Sequence, residues 1–126
     1  MLEEITRFFE RYSRAAEAMD LDELVFLHHP PCIKVHGDGA VDCLPTEEAI
    51  RTFFRELAQK YGARDHSGGR FLDLEVRPMG SAAVLASLTW EQFRRDGSMY
   101  RRFRRSYKLV RPNSLWKIIA TTAHRE

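Results

Sequence analysis

Residues 84–109 read VLASLTWEQFRRDGSMYRRFRRSYKL, and the pairing inside this stretch decides the fold. Its middle carries Asp96–Gly97, a strong signal for a two-residue hairpin turn because both residues tolerate positive φ. With residues 95 and 98 flanking that turn, Trp90 lies opposite Phe103, Leu88 opposite Arg105, Ala86 opposite Tyr107 and Val84 opposite Leu109. Directly opposed residues share a face of a sheet, so the two strands agree on one largely apolar face. The other face sets Glu91 against Arg102, an ion pair of sensible sign.

The period-two pattern extends in both directions. After Gly68–Gly69, Leu72, Leu74 and Val76 alternate with Phe71, Asp73, Glu75 and Arg77, which predicts a strand joining the apolar face through its three aliphatic residues. Downstream, the turn RPNS feeds a strand LWKIIATTA, whose register leaves open whether Trp116 or Lys117 faces inward. Upstream the pattern is helical. Ile5, Phe8, Phe9, Tyr12, Ala16 and Met19 form the stripe of an amphipathic helix. Asp20 caps a second, short helix, LDELVFLHH, that Pro30–Pro31 must end. CIKVHGDGAVDC reads as two short strands about a Gly-Asp-Gly turn. Thr46 caps a third helix whose apolar face is Ile50, Phe53, Phe54, Leu57 and Tyr61. Two to three helices packed on one face of a curved antiparallel sheet is an α+β layer solution, and 126 residues is the size of one domain, spanning 1–126.

Composition narrows the function classes. With 44% hydrophobic and 30% charged residues the chain has the balance of a globular protein, and a net charge of +2 is too mild to argue for nucleic acid. No apolar run approaches the ~20 residues of a membrane span, and the N-terminus MLEEITRFFERYSR has no signal-peptide pattern, so a cytoplasmic protein is expected. Cys32 and Cys43 make no disulfide framework and read as reduced thiols.

The layout resembles the nuclear transport factor 2-like superfamily, the cone-shaped α+β fold that includes SnoaL-like polyketide cyclases, ketosteroid isomerase and scytalone dehydratase. The resemblance rests on RYSRAAEAMDLDELVFLHHPPCIKVHGDG, TEEAIRTFFRELAQKYG and YKLVRPNSLWKII, which together cover nearly the whole chain. HHPPCIKVHGDG and YKLVRPNSLWKI look most like SnoaL-like bacterial proteins. Laid without a gap on the start of ketosteroid isomerase, the segment RY…DLDELVFL…VHG puts Tyr12 where that enzyme carries its oxyanion-binding phenol and His36 where it carries its base. The second oxyanion donor, an acid on a late strand, has no clear counterpart; Ser106 and Tyr107 stand nearby.

Each candidate residue has a plain reading beside the functional one. Cys32 and His36 share a strand face but lie roughly 13 Å apart at ~3.3 Å per residue. Zinc needs its ligands within about 2–2.3 Å of one centre, so no metal site is expected. His28 and His29 read as imidazoles at a helix C-terminus, favoured there by the dipole. His36 is either a rim histidine bonded to the Asp38 turn or a group that titrates near neutrality and serves as base. Tyr12 is either core packing or a phenol aimed into a cavity. Six arginines crowd residues 94–105, but alternation sends Arg102 and Arg104 to one face and Arg101 and Arg105 to the other, which splits any phosphate track. Arg105 is the odd residue, an inward guanidinium between Phe103 and Tyr107 that must meet a carboxylate such as Glu17 or Glu56 from the helices, backbone carbonyls, ordered water or an anionic ligand.

The sequence therefore predicts an apolar cavity between helices and concave sheet, lined or supported by Leu72, Leu74, Leu88, Trp90, Phe103 and Tyr107, with Tyr12, His36 and Arg105 as polar points. The expected ligand is a small, partly apolar organic molecule carrying a carboxylate, enolate or phenolate. The expected chemistry is cofactor-free proton transfer of isomerase, cyclase or dehydratase type, with His36 as base and Tyr12 or Arg105 at the oxyanion. A non-catalytic binding or dimerisation module is the alternative, with a homodimer expected in either case. Nucleic-acid binding through the Arg-rich hairpin ranks third.

Overall fold

A computed structural model describes residues 1–62 and 66–124; the side chains of Tyr61 and His66 lie outside the described residues. The elements run α1 (Leu2–Ala18), α2 (Leu21–Phe26), β1 (His28–Val35), β2 (Val41–Leu44), α3 (Glu47–Gly62), β3 (His66–Pro78), β4 (Ala83–Arg94), β5 (Met99–Val110) and β6 (Lys117–Ala123). Helix α1 buries Ile5, Phe8, Phe9, Tyr12 and Ala15, and Met19 ends it in the left-handed conformation with φ 51°. The Asp20 carboxylate then accepts from the Glu23 N–H and opens α2, and Thr46 Oγ1 accepts from the Ala49 N–H at 3.1 Å to open α3.

The six strands form one sheet in the order β2-β1-β6-β5-β4-β3. β3 to β6 are the antiparallel meander that the alternation predicts, while β1 pairs with β6 in parallel and carries β2 as the outer edge. The core lies between the helices and the inner sheet face, where Ile5, Phe9, Leu24, Ile50, Leu88, Tyr107, Leu109 and Ile118 are almost fully buried.

The predicted β4–β5 register holds: Trp90 faces Phe103, Leu88 faces Arg105, Ala86 faces Tyr107, Val84 faces Leu109 and Glu91 faces Arg102. The tip differs from the prediction. The Arg94 N–H donates to the Ser98 carbonyl at 2.8 Å, which leaves a three-residue loop ending on Gly97 at φ 89°. A register shift past Gln92 and Phe93 then absorbs one extra residue of β5 and restores the pairing expected from a two-residue turn.

Strand β3 corrects the sequence reading more deeply. Phe71 pairs with Trp90 and faces inward, whereas Leu72 pairs with Thr89 on the outer face. A bulge follows, with Asp73 at φ 55°, and it resets the alternation so that Leu74 and Val76 point in again. Simple parity cannot anticipate an inserted residue, so it exchanged Phe71 and Leu72. A similar shift between β5 and β6 settles the last strand: Trp116 and Ile118 are buried, and after the shift Thr121 and Ala123 sit opposite Tyr107 and Arg105.

Candidate functional site

Between α1, α3 and the inner face of the sheet the molecule leaves a cavity of about 320 Å³. Tyr12, Ala16 and Glu17 line it from α1, Phe53, Phe54 and Leu57 from α3, and Lys34 and His36 from β1 and the residue after it. Trp90 and Gln92 of β4, Arg101, Phe103, Arg105 and Tyr107 of β5, and Thr121 of β6 complete the wall. Of the residues predicted from sequence, Tyr12, His36, Trp90, Phe103, Arg105 and Tyr107 thus meet at one cavity. Leu88 and Leu74 support it from the core without lining it, and Leu72 is turned away by the β3 bulge.

An aromatic cluster forms the inner end. The Trp90 Nε1–H donates to the Tyr107 hydroxyl at 2.8 Å. Tyr12 sits with its ring centroid 5.9 Å from Trp90, 6.2 Å from Tyr107 and 6.1 Å from His28. At the other end His36 is exposed, and its Nε2 lies 2.7 Å from Asp42 Oδ2. The Asp38 turn does not hold this histidine; the Asp38 carboxylate accepts from the Ala40 N–H instead. With Asp42 ionised, Nε2 carries the proton and Nδ1 is the basic nitrogen of a histidine–aspartate pair.

Arg105 projects inward as the hairpin register requires. Its guanidinium stacks on Phe103, 5.0 Å from the ring centroid, and its Nε is buried without a hydrogen-bond partner among the described residues. Neither Glu17 nor Glu56 forms an ion pair with it, nor does any other carboxylate among the described residues. Glu17 instead reaches across to Gly68, so close that a Cβ there would come within 2.6 Å of its Oε1.

The sequence reading passed over the second inward cation. Lys34 follows Cys32 on the inner face of β1 and is only 7% exposed. Its ammonium lies 5.3 Å from the ring centroids of both Phe53 and Phe54, and 3.4 Å from His28 Nε2. Helix α2 stops at Phe26, and His28 does reach back to a carbonyl of its last turn, but as a buried ring and not as an exposed cation at the helix end. His28 is the first residue of β1, 2% exposed, with its Nδ1 at 2.6 Å from the Leu24 carbonyl oxygen. A carbonyl only accepts, so Nδ1 holds the proton and Nε2 presents a lone pair to Lys34. Burial, with a smaller contribution from the Lys34 charge, pushes the His28 pKa down to about 3, which keeps the ring neutral. Burial likewise pulls Lys34 down to about 8, the Arg105 cation lowering it further and Cys32 acting the other way. The alternation of CIKV was the available signal for Lys34, since it puts the lysine on the face of buried Cys32.

Among the described residues no three His, Cys, Asp or Glu side chains cluster as a metal site, and no helix is long and apolar enough to cross a membrane.

The model of the NTF2-like protein family DUF6841 matches residues 3–126. The chain belongs to this family. Solved structures share the fold at low identity. Aln2 from a Streptomyces species superposes with a TM-score of 0.80 at 17% identity, covering 98% of this chain and 89% of that one. A protein of unknown function with a cystatin-like fold from Nostoc punctiforme gives 0.79 at 11%, with 98% and 89% covered. A nuclear transport factor 2-like superfamily protein from Salmonella enterica gives 0.70 at 20%, with 98% and 91% covered. No curated protein matches the chain.

Proposed function

We propose that this NTF2-like protein binds a small, partly apolar organic anion in the cavity and acts on it by cofactor-free proton transfer. One observation carries the reading: Lys34 and Arg105 bring two cationic side chains to the same aromatic-lined cavity, and no carboxylate among the described residues pairs with either. Two uncompensated cations in an apolar wall are costly for the empty protein, and a bound anion relieves that cost. The Phe53, Phe54, Trp90 and Phe103 rings suit the apolar remainder of such a ligand. His36, oriented by Asp42 at the mouth, is the group that takes a proton next to a carbonyl, and Arg105 with Tyr12 faces the negative charge that develops on oxygen. Isomerase, cyclase and dehydratase reactions all contain that step.

The Arg-rich hairpin supports nucleic-acid binding less well. Arg102 lies 3.6 Å from Glu91, Arg104 lies 3.3 Å from Glu75, and Arg101 stacks on Phe103 at 4.3 Å.

Thermal unfolding with a panel of aryl and alkyl carboxylates tests the proposal, since a ligand of the native state raises the melting temperature. Arylalkyl carboxylates should stabilise the wild type, and Arg105→Met, which keeps the stem and deletes the fork, should lose the effect. Equal stabilisation of wild type and Arg105→Met, or none by any acid, would overturn it.

A further inference from the structure

We infer that Lys34 is an imine-forming residue: its amine condenses with the carbonyl of a small 2-oxo acid whose carboxylate rests on Arg105. The inference deepens the anion-binding reading above and depends on it for the place of the carboxylate.

The geometry of Lys34 is unlike that of a structural lysine. A buried lysine kept for stability is normally paired with a carboxylate, which holds it charged. Lys34 has a neutral imidazole instead, because the Leu24 carbonyl fixes the His28 proton on Nδ1 and leaves Nε2 as an acceptor only. That acceptor takes one N–H of Lys34 whether the group is ammonium or amine, and so holds the nitrogen in place without fixing its charge. Phe53 and Phe54 exclude water on one side, and the cavity opens on the other. The groups that bear on the charge of Lys34 are His28 and Cys32 on its own strand and Arg105 from β5. Desolvation beside a second cation is the environment that frees a lysine amine for attack on a carbonyl near neutral pH. With the pKa at about 8 in place of 10.5, the free amine is present at the pH where surface lysines are almost wholly protonated.

The step balances without a further reactant. The amine lone pair forms a C–N bond to the carbonyl carbon, the carbonyl oxygen takes up protons and leaves as water, and the nitrogen gives up both of its hydrogens to that water. Protonation of the resulting imine leaves a cationic carbon–nitrogen double bond that acidifies the neighbouring C–H.

Phenylpyruvate is the probe, with 3-phenylpropionate as its analogue lacking the carbonyl. The wild-type protein is incubated with phenylpyruvate and cyanoborohydride near pH 7, and peptide mass mapping reads the reduced adduct at each of the four lysines, Lys34, Lys60, Lys108 and Lys117, and at the exposed α-amino group. Lys34 should be labelled about tenfold or more faster than the other lysines. Its labelling alone should saturate with phenylpyruvate and be suppressed by 3-phenylpropionate. Arg105→Met should lower Lys34 labelling about tenfold, the loss of one charge-assisted contact. Labelling spread evenly over the lysines, or no adduct on Lys34, would overturn the inference, and because the decisive measurement is on the wild type it stands whether or not a Lys34 variant folds. The two readings fail separately. If both acids raise the melting temperature but no Lys34 adduct forms, imine formation is wrong and anion binding survives. If neither acid stabilises the protein and no adduct forms, both are wrong.

Discussion

Replacing Lys34 with methionine should make the protein more stable at neutral pH, although it removes a residue of the cavity. A lysine held at about 8 instead of 10.5 carries a charging penalty of about 3 kcal/mol, at ~1.4 kcal/mol per tenfold change in proton affinity. Methionine fills much the same volume between Phe53 and Phe54 without a charge, and the shorter chain and the lost 3.4 Å contact to His28 return about 1 kcal/mol of that gain. The net expectation at pH 6.5 is about 2 kcal/mol, or about 8 °C in melting temperature for a chain of this size. The pH dependence is diagnostic. Between pH 8 and 10.5 the unfolded chain binds a proton at Lys34 that the folded chain has released, so wild-type stability rises with pH across that window. Below pH 8 the penalty is present in full, and above 10.5 it is gone. Urea unfolding of both proteins at pH 6.5 and pH 10 should therefore show the advantage of Lys34→Met shrinking to less than half. A variant that is less stable at pH 6.5, or an advantage that does not change with pH, would show that Lys34 is not a desolvated cation and would remove the ground for both functional proposals.

His28 should control the acid limb. Its folded pKa near 3 lies below the ordinary 6.5, so the unfolded chain takes up a proton in that interval and stability falls as the pH drops through it; His28→Phe should flatten this limb in acid titrations followed by circular dichroism. The β3 bulge predicts opposite costs for neighbours: Phe71→Ala, which empties contacts to Phe9 and Trp90, should cost about 2–3 kcal/mol in denaturant melts, and Leu72→Ala under about 1 kcal/mol. We propose a homodimer that covers the outer sheet face around Leu85 and Met99, which are 39% and 46% exposed; light scattering at micromolar concentration should return twice the chain mass, and Leu85→Glu should halve it. DNA binding should be weak and salt-sensitive, and tight binding at physiological salt abolished by Arg102→Glu with Arg104→Glu would move the function from the cavity to the hairpin.

The sequence by itself determined the layers and most of the pairing. Alternation about Asp96–Gly97 set Trp90 against Phe103 and Leu88 against Arg105, because side-chain direction in a strand repeats every two residues and an apolar face tolerates only one register. The same rule put Arg105 inside, and the caps Asp20 and Thr46 marked two helix starts through hydrogen bonds that only such side chains make. Tertiary structure decided what local rules do not contain. The bulge at Asp73 exchanged Phe71 for Leu72 because an inserted residue is accommodated by the neighbouring strand and leaves no trace in the period. His28 reads as an imidazole on the last carbonyls of a helix and does meet the Leu24 carbonyl, but only the tertiary structure buries the ring and so keeps it neutral. Lys34 owes its character to β1 lying beside β6 and under α3, with Arg105 on the same inner face two strands away, since desolvation and the choice of partner are properties of what surrounds a charge rather than of its place in the chain.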